Sequence, residues 1–338
     1  MEMRIDKNLE NVESLTITTD GPVTVEQSGA QATAGGQVPQ QEEPAQLHPL
    51  FPGRKFISTV LDVLDSKQVM TGALVGKYLQ RAAMAGFFVG IFFTTYFAIV
   101  TRFAAAGAAG GVGAAGAAGL DSGIGLTGKV LASLTFGWAL VLIYYTNSEL
   151  LTSNMMIVSI GAYHKRITWL RSLKILGLCL LGNLAGALLI ALLLRASNVV
   201  DAATLQQMIA AATQKTGYLT GGAAGISDLF VRAILCNFCI NIAMLMVYNG
   251  KLTNDFTKCV IMIVAVFVFA FLGLEHSIAN SALFLIVGLH GAVNPWLAIG
   301  SVAVTILGNF IGGGLLIGLN FAVMNDEQPH HSRLVHRG

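Results

Sequence analysis

Long apolar runs alternate with short polar interruptions along this chain, and six of them reach the roughly 20 residues that a helix needs to cross a bilayer core. They cover residues 78–104, 129–163, 169–195, 227–250, 257–289 and 296–324. The second and fifth are too long for one straight span, and each carries a polar cluster inside it. The first cluster reads Asn147-Ser148-Glu149-Leu150-Leu151-Thr152-Ser153-Asn154; the second reads Gly273-Leu274-Glu275-His276-Ser277-Ile278-Ala279-Asn280. In both, Glu stands five residues before Asn, and the glutamates are 275 − 149 = 126 positions apart. Gly182-Asn183-Leu184-Ala185-Gly186 and Gly308-Asn309-Phe310-Ile311-Gly312 repeat at the same offset, 308 − 182 = 126. This pattern predicts two interrupted helices, each a half-helix, an irregular turn and a second half. Such breaks are tolerated at membrane depth only where the freed backbone is buried in protein or faces a wet cavity. Ionisable groups at that depth mark function. Two copies point to an internally repeated transporter or channel whose site lies where the repeats meet.

The remaining segments give the topology. Arg54, Lys55, Lys67, Lys77 and Arg81 precede the first run; Lys165, Arg166, Arg171 and Lys174 follow the second; Lys251 and Lys258 follow the fourth; Arg333 and Arg337 follow the sixth. The other side carries fewer cations: Arg102, Lys129, Arg195, Lys215 and Arg232. Both termini are therefore expected in the cytoplasm. The two three-span halves are then inverted with respect to each other. Residues 104–119, almost all Ala and Gly, and residues 196–226, polar and then Gly-rich, read as connections on the far side. Pro295 precedes Trp296 where the sixth helix begins. The Gly182/Gly186 and Gly308/Gly312 spacings predict close helix approach.

Composition agrees. The chain of 338 residues is 54% hydrophobic and 11% charged, against about 25% charged in soluble domains, which excludes a soluble protein. The net charge of +2 says little about partners. Residues 1–55 are rich in Gln, Glu, Thr, Gly and Pro and read as a disordered cytoplasmic tail. The polar start with Glu2, Asp6 and Glu10 does not resemble a secretory signal peptide. The expected division is tail 1–55, channel domain 56–325 and tail 326–338. The fold class is an all-α membrane protein of six transmembrane helices arranged as an inverted 3+3 repeat. Cys179, Cys236, Cys239 and Cys259 all lie in or beside apolar runs; Cys236-x-x-Cys239 lacks a second pair and reads as small apolar side chains on a helix. No His pair or acidic pair stands at ligand spacing. No metal, no cofactor, no enzymatic activity and no nucleic-acid partner are expected; membrane lipid is.

The two clusters supply the chemistry. His276 follows Glu275 at a helix break, and an imidazole both donates hydrogen bonds and changes charge near neutral pH. Thr152 stands beside the other break, with a hydroxyl able to meet a solute or a freed carbonyl. Glu149 and Glu275 read as acceptors for backbone N–H groups at the turns, and Asn154 and Asn280 as ties for the same turns. Helix N-termini at the breaks favour a small anion, and apolar residues around them form dry constrictions.

These residues resemble the formate/nitrite transporter family, which includes formate, nitrite and hydrosulfide channels. Gly273 to Asn280 is similar to the family's Gly-Phe-Glu-His-Ser-x-Ala-Asn signature, Phe230 to Asn237 to its Leu-Cys-Asn stretch, and Asn147 to Asn154 to its Glu/Asp-Leu-Phe-Thr segment. The resemblance runs from about residue 70 to 324. It implies an aquaporin-like protomer in a homopentamer, with a pore in each protomer, in a bacterial inner membrane. It implies His276 as the central pore histidine, with Thr152 and Asn237 at the solute. Leu150, Leu151 and Ile240 then form the inner constriction, and Phe136, Leu140 and Phe269 the outer one. The implied solute is a small monovalent weak-acid anion or its neutral acid, formate first, with nitrite, hydrosulfide, lactate or a neutral solute as alternatives. Two positions depart from the pattern. Leu151 and Leu274 stand where the family often has Phe. Gly221 stands where it usually has a Lys, 16 residues before Asn237, with Lys215 the nearest cation six residues earlier.

Overall fold

The computed structural model describes residues 51–109 and 123–326. The expected tail residues 1–50 and 327–338, and residues 110–122, which include most of the Ala/Gly connection 104–119, lie outside the described residues; residues 104–109 of that connection continue a helix. Every described element is helical. In chain order they are α1 (Arg54–Ala73), α2 (Val75–Ala109), α3 (Gly123–Tyr145), α4 (Leu151–Tyr163), α5 (Trp169–Arg195), α6 (Ala202–Thr220), α7 (Gly222–Tyr248), α8 (Asp255–Phe271), α9 (Ser277–Gly288) and α10 (Pro295–Asn309). The last continues through a π-helical stretch, Phe310–Leu319, into α11 (Asn320–Met324). Five rods are long and apolar enough to cross a membrane: 75–108, 123–145, 169–195, 222–248 and 295–324. α9 is apolar but short.

Two of these helices correct the reading of the sequence. Residues 196–226 are not an open connection: α6 occupies most of them. Its side chains are too polar for a bilayer span, and its start is fixed by Asp201, whose carboxylate accepts from Thr204 N at 2.8 Å. α1 is likewise too charged to register as an apolar run. Both helices pack beside the spans, and each carries one buried or nearly buried lysine.

The helix breaks fall inside the polar clusters. α3 ends at Tyr145 and α4 begins at Leu151; α8 ends at Phe271 and α9 begins at Ser277. The two turns have the same backbone course. Asn147 and Gly273, 126 positions apart, both have positive φ, 52° and 68°. Ser148 N donates to Ile143 O and Leu274 N to Phe269 O, both at 2.9 Å. Leu150 and His276 then adopt extended backbone, φ −105° and −106°, as each half-helix starts. Glycine tolerates the left-handed turn without a Cβ clash, and Asn is among the few side-chain-bearing residues that do so readily.

α2 packs between α3 and α5, and α10 with its π-helical extension packs against α7. Glycines allow the close approach. A methyl group at Gly312 would stand 2.9 Å from Phe238 N, and one at Gly308 would stand 2.7 Å from Phe230 O. Gly182 and Gly186 meet Ala82 and Ala83 of α2 in the same way. Gly53 N donates to Asn325 Oδ1 at 2.8 Å, so both described ends lie on one face, called here the terminal face.

Candidate functional site

Each broken helix is held by an asparagine from a neighbouring rod. Asn183 of α5 accepts from Leu151 N at 3.0 Å and donates to Ala82 O at 2.8 Å and Glu149 O at 2.7 Å. Asn309 of α10 accepts from Ser277 N at 3.0 Å and donates to Ala233 O at 2.8 Å and Glu275 O at 3.0 Å. Each side chain thus satisfies a backbone N–H and a carbonyl at its break, a requirement in a buried setting, and ties them to a carbonyl inside a neighbouring rod. Sequence reasoning gave Asn183 and Asn309 no role. The signal was present in the Gly-Asn-x-x-Gly repeat but was read through its glycines alone.

The glutamates do something other than accept from turn amides. Glu149 accepts from Lys67 of α1 and from Asn154 Nδ2, the latter at 3.0 Å. Glu275 accepts from Lys215 of α6 at 2.6 Å and from Asn280 Nδ2 at 2.7 Å. Both carboxylates are nearly inaccessible to solvent. A buried carboxylate needs such a cation and hydrogen bonds to stay charged. The expected lack of a central cation is therefore corrected. Gly221 caps the end of α6, and Lys215, one and a half turns earlier, reaches the second break. Counting back from Asn237 missed it because α6 meets α7 through a tight turn at Gly221 and Gly222, the latter with φ +67°. Lys67 was read only as an orientation signal; it is the counterpart of Lys215.

The two half-helices meet at their N-termini. Thr152 Oγ1 of α4 lies 3.1 Å from His276 Nε2 at the start of α9. Ala279 N donates to His276 Nδ1 at 3.1 Å. With Nδ1 accepting from an amide, the network assigns the proton of a neutral ring to Nε2. That N–H points at Thr152 and the space beside it. The Phe269 ring lies nearly parallel to the imidazole, centroids 5.9 Å apart, and the Phe136 ring stands edge-on to Phe269 at 5.9 Å.

Three cavities follow one another through this junction. A vestibule of about 490 Å³ opens on the terminal face and is lined by Lys67, Arg81, Glu149, Leu150, Asn154 and Tyr248 among others. A vestibule of about 440 Å³ opens on the opposite face beside Lys215, Glu275, His276, Asn280, Phe136 and Phe269. Between them lies a chamber of only about 20 Å³, walled by Phe136, Leu140, Leu150, Ile240, Phe269 and His276 with further apolar side chains. Leu140 and Leu150 also line the first vestibule, and Phe136, Phe269 and His276 the second, so the chamber is the neck of an hourglass. A single water needs roughly 10–15 Å³ of such space.

Three expected site residues are placed behind this lining. Asn237 is fully buried; its amide N–H groups go to Thr152 O at 3.1 Å and Asn309 O at 2.7 Å, and its oxygen accepts from Asn241 at 2.8 Å. It links the two breaks rather than facing the neck. Leu151 is buried outside the chamber wall, and Thr152 reaches it through His276.

Helices with buried ion pairs, two re-entrant N-termini and a dry neck between polar vestibules define a multi-pass membrane channel. Residues 57–323 match the formate/nitrite transporter family, and the chain belongs to that family. It is 32% identical over 231 residues to the formate channel FocA of Escherichia coli strain K12, spanning 60% of this chain and 76% of that one. It is 29% identical over 201 residues to the uncharacterized transporter YwcJ of Bacillus subtilis strain 168, 58% and 75% of the two chains. The nitrite transporter NirC of Salmonella typhimurium strain LT2 is 28% identical over 212 residues, 59% and 73% of the two chains. Among solved structures, a channel described as an FNT family ion channel superposes with a TM-score of 0.65 at 22% identity, covering 79% of this chain and 98% of that one. A pentameric formate channel with formate bound gives 0.57 at 21% identity, covering 75% and 98%. These two likenesses establish the shared fold.

Proposed function

We propose that this formate/nitrite transporter carries formate, crossing the neck as the neutral acid or as an anion briefly hydrogen-bonded to His276. The single observation that carries this reading is the hourglass with one imidazole in an otherwise apolar neck. Two half-helix N-termini meet there and favour an anion on approach. Lys67 and Lys215 are balanced by Glu149 and Glu275, while Arg81 on one lining and Lys129 on the other leave each vestibule with positive charge. An anion entering the neck loses its hydration and regains one donor at most, so taking up a proton first lowers the barrier. The small chamber favours formate, nitrite or hydrosulfide over lactate.

The roles follow from position. His276 donates to the solute through Nε2; the Ala279 amide on Nδ1 sets the tautomer and Thr152 holds the ring's orientation. Leu150, Leu140 and Ile240 close the neck toward the terminal face, Phe136 and Phe269 toward the other. Asn237, Glu149, Asn154, Glu275 and Asn280 hold the broken helices. The matched turns and ion pairs support an inverted repeat of six spans, with α3–α4 and α8–α9 as the two interrupted ones. The lysine- and arginine-rich terminal face is then cytoplasmic. The formate channel of similar fold is pentameric, and a homopentamer is proposed here too.

Uptake into proteoliposomes tests the reading. Formate flux should rise as external pH falls toward the acid's own pKa, and His276→Ala should reduce it at least about tenfold if one charge-assisted donor of roughly 1.5–3 kcal/mol is lost. Electrogenic flux without pH dependence rejects neutral-acid passage. Unchanged flux in His276→Ala rejects the role given to the imidazole.

A further inference from the structure

We infer that the groove between α1 and the start of α5 on the terminal face is a binding site for the headgroup of an anionic phospholipid. The groove has a volume of about 340 Å³ and is lined by Gln68, Thr71, Ile167, Arg171, Lys174 and Ile175, together with Gly72. Its lining holds two cations and no acid. Neither Arg171 nor Lys174 has an ion-pair partner among the described residues. The neighbouring carboxylate, Asp65, is engaged by Arg166 at 2.5 Å. The polar groups beside them are occupied: Thr71 Oγ1 donates to Lys67 O at 2.9 Å, and Gln68 Nε2 donates to Asp65 Oδ1 at 3.3 Å. The charge left over is therefore that of the two cations.

The same helix turn displays the surface that acyl chains require. Trp169 is 54% exposed, Leu170 78% and Leu173 63%. Trp at the border of a span, with cations one turn away and aliphatic residues beyond, is the arrangement of a membrane interface. A basic pocket at the end of a spanning helix on the positively charged face suits an anionic headgroup.

The repeat supplies an independent control. Thr168 caps α5 by accepting from Arg171 N at 3.4 Å, and Asn294, 126 positions on, caps α10 by accepting from Leu297 N at 3.3 Å. Arg171 thus corresponds to Leu297, and Lys174 to Gly300 (300 − 174 = 126). The equivalent junction folds without either cation. A helix start of the same geometry therefore forms with Leu297 and Gly300 in these places, so capping alone gives Arg171 and Lys174 no role. The occupant to which this commits is a phospholipid of that leaflet, because a free anion makes no use of Leu170 and Leu173.

The test uses the purified full chain in detergent, titrated with short-chain phosphatidylglycerol, phosphatidylcholine or inorganic phosphate, with binding read by native mass spectrometry and by the thermal midpoint. Wild type should bind phosphatidylglycerol and be stabilised by it, and respond to neither other probe. Arg171→Gln/Lys174→Gln should bind it about thirtyfold more weakly, the loss expected for two cations near an anionic lipid. Lys55→Gln/Lys251→Gln, which removes two exposed cations outside the groove lining, should bind like wild type. Equal binding by wild type and the groove variant overturns the proposal. Equal losses in both double variants also overturn it, since attraction is then diffuse. Stabilisation by inorganic phosphate alone overturns the choice of a lipid. All variants retain the pore residues, so loss of formate flux in none of them bears on the site.

Discussion

Asn309 ties one backbone N–H and one carbonyl of the second break to a carbonyl of α7, and this is more demanding than any role a single hydrogen bond gives a side chain. Asn309→Leu keeps the volume but leaves Ser277 N and Glu275 O, at the break, without a partner. Each orphaned buried group costs about 1–3 kcal/mol. The variant should lose on the order of 3 kcal/mol or more, read as a large drop in thermal midpoint in detergent or as failure to assemble. Lys215 poses the same question for charge. Removing it leaves Glu275 as an uncompensated buried carboxylate, which costs roughly 3–5 kcal/mol. Lys215→Met should therefore be markedly destabilised, and adding Glu275→Gln should recover much of the loss. A double variant no more stable than Lys215→Met would show that the ion pair is not what holds α6 to the second break.

At the scale of elements, the broken helices depend on close helix packing. α10 presses on α7 through Gly308 and Gly312. The methyl of Gly312→Ala would meet Phe238 N at 2.9 Å and the Ile234 carbonyl carbon at 3.0 Å, backbone atoms that cannot rotate away. The rods must part, at a cost of about 1–3 kcal/mol. Gly177→Ala on α5 meets nothing within 4 Å, and should be neutral or gain up to about 1 kcal/mol from helix propensity. Equal thermal midpoints for the two variants would contradict the packing account. The start of α6 adds a pH-sensitive contact far from the neck. Hydrogen bonds from Thr204, the backbone N–H first, lower the Asp201 pKa from its ordinary 3.8. A depressed carboxylate pKa stabilises the fold above the unfolded value, and that contribution fades as pH falls through the folded one. Protection of the Thr204 amide, taken relative to its free-chain exchange rate, should therefore fall below pH 3.8, and Asp201→Asn, which keeps an acceptor without the charge, should not show this fall.

At the scale of the molecule, two equivalent breaks create a neck with unequal contents. Equivalent positions hold Leu150 on one side and His276 on the other, so the scaffold is symmetric and the site is not. A homopentamer should have a mass near five times 35.6 kDa, measured by light scattering with detergent subtracted; a stable monomer that still conducts formate would separate pore from assembly.

The apolar runs, the doubled clusters and the asymmetry of His276 and Thr152 were all legible in the sequence, because span length, charge exclusion and turn chemistry are local properties. The family signature lies in those same stretches. What the sequence did not reveal depends on distance in the chain. Lys67 meets Glu149 across 82 positions, and Lys215 meets Glu275 across 60. Asn183 and Asn309 reach carbonyls 101 and 76 positions away. Such pairings are chosen by how rods pack, and the last turns of α6 were enough to hide Lys215 from a count along the chain. Sequence alone determined that this is a membrane protein with two interrupted helices and where along the chain its imidazole lies. Only the tertiary structure decided which side chains neutralise the buried carboxylates and which face the neck, because a buried charge or amide is satisfied by whatever packing brings within hydrogen-bonding reach.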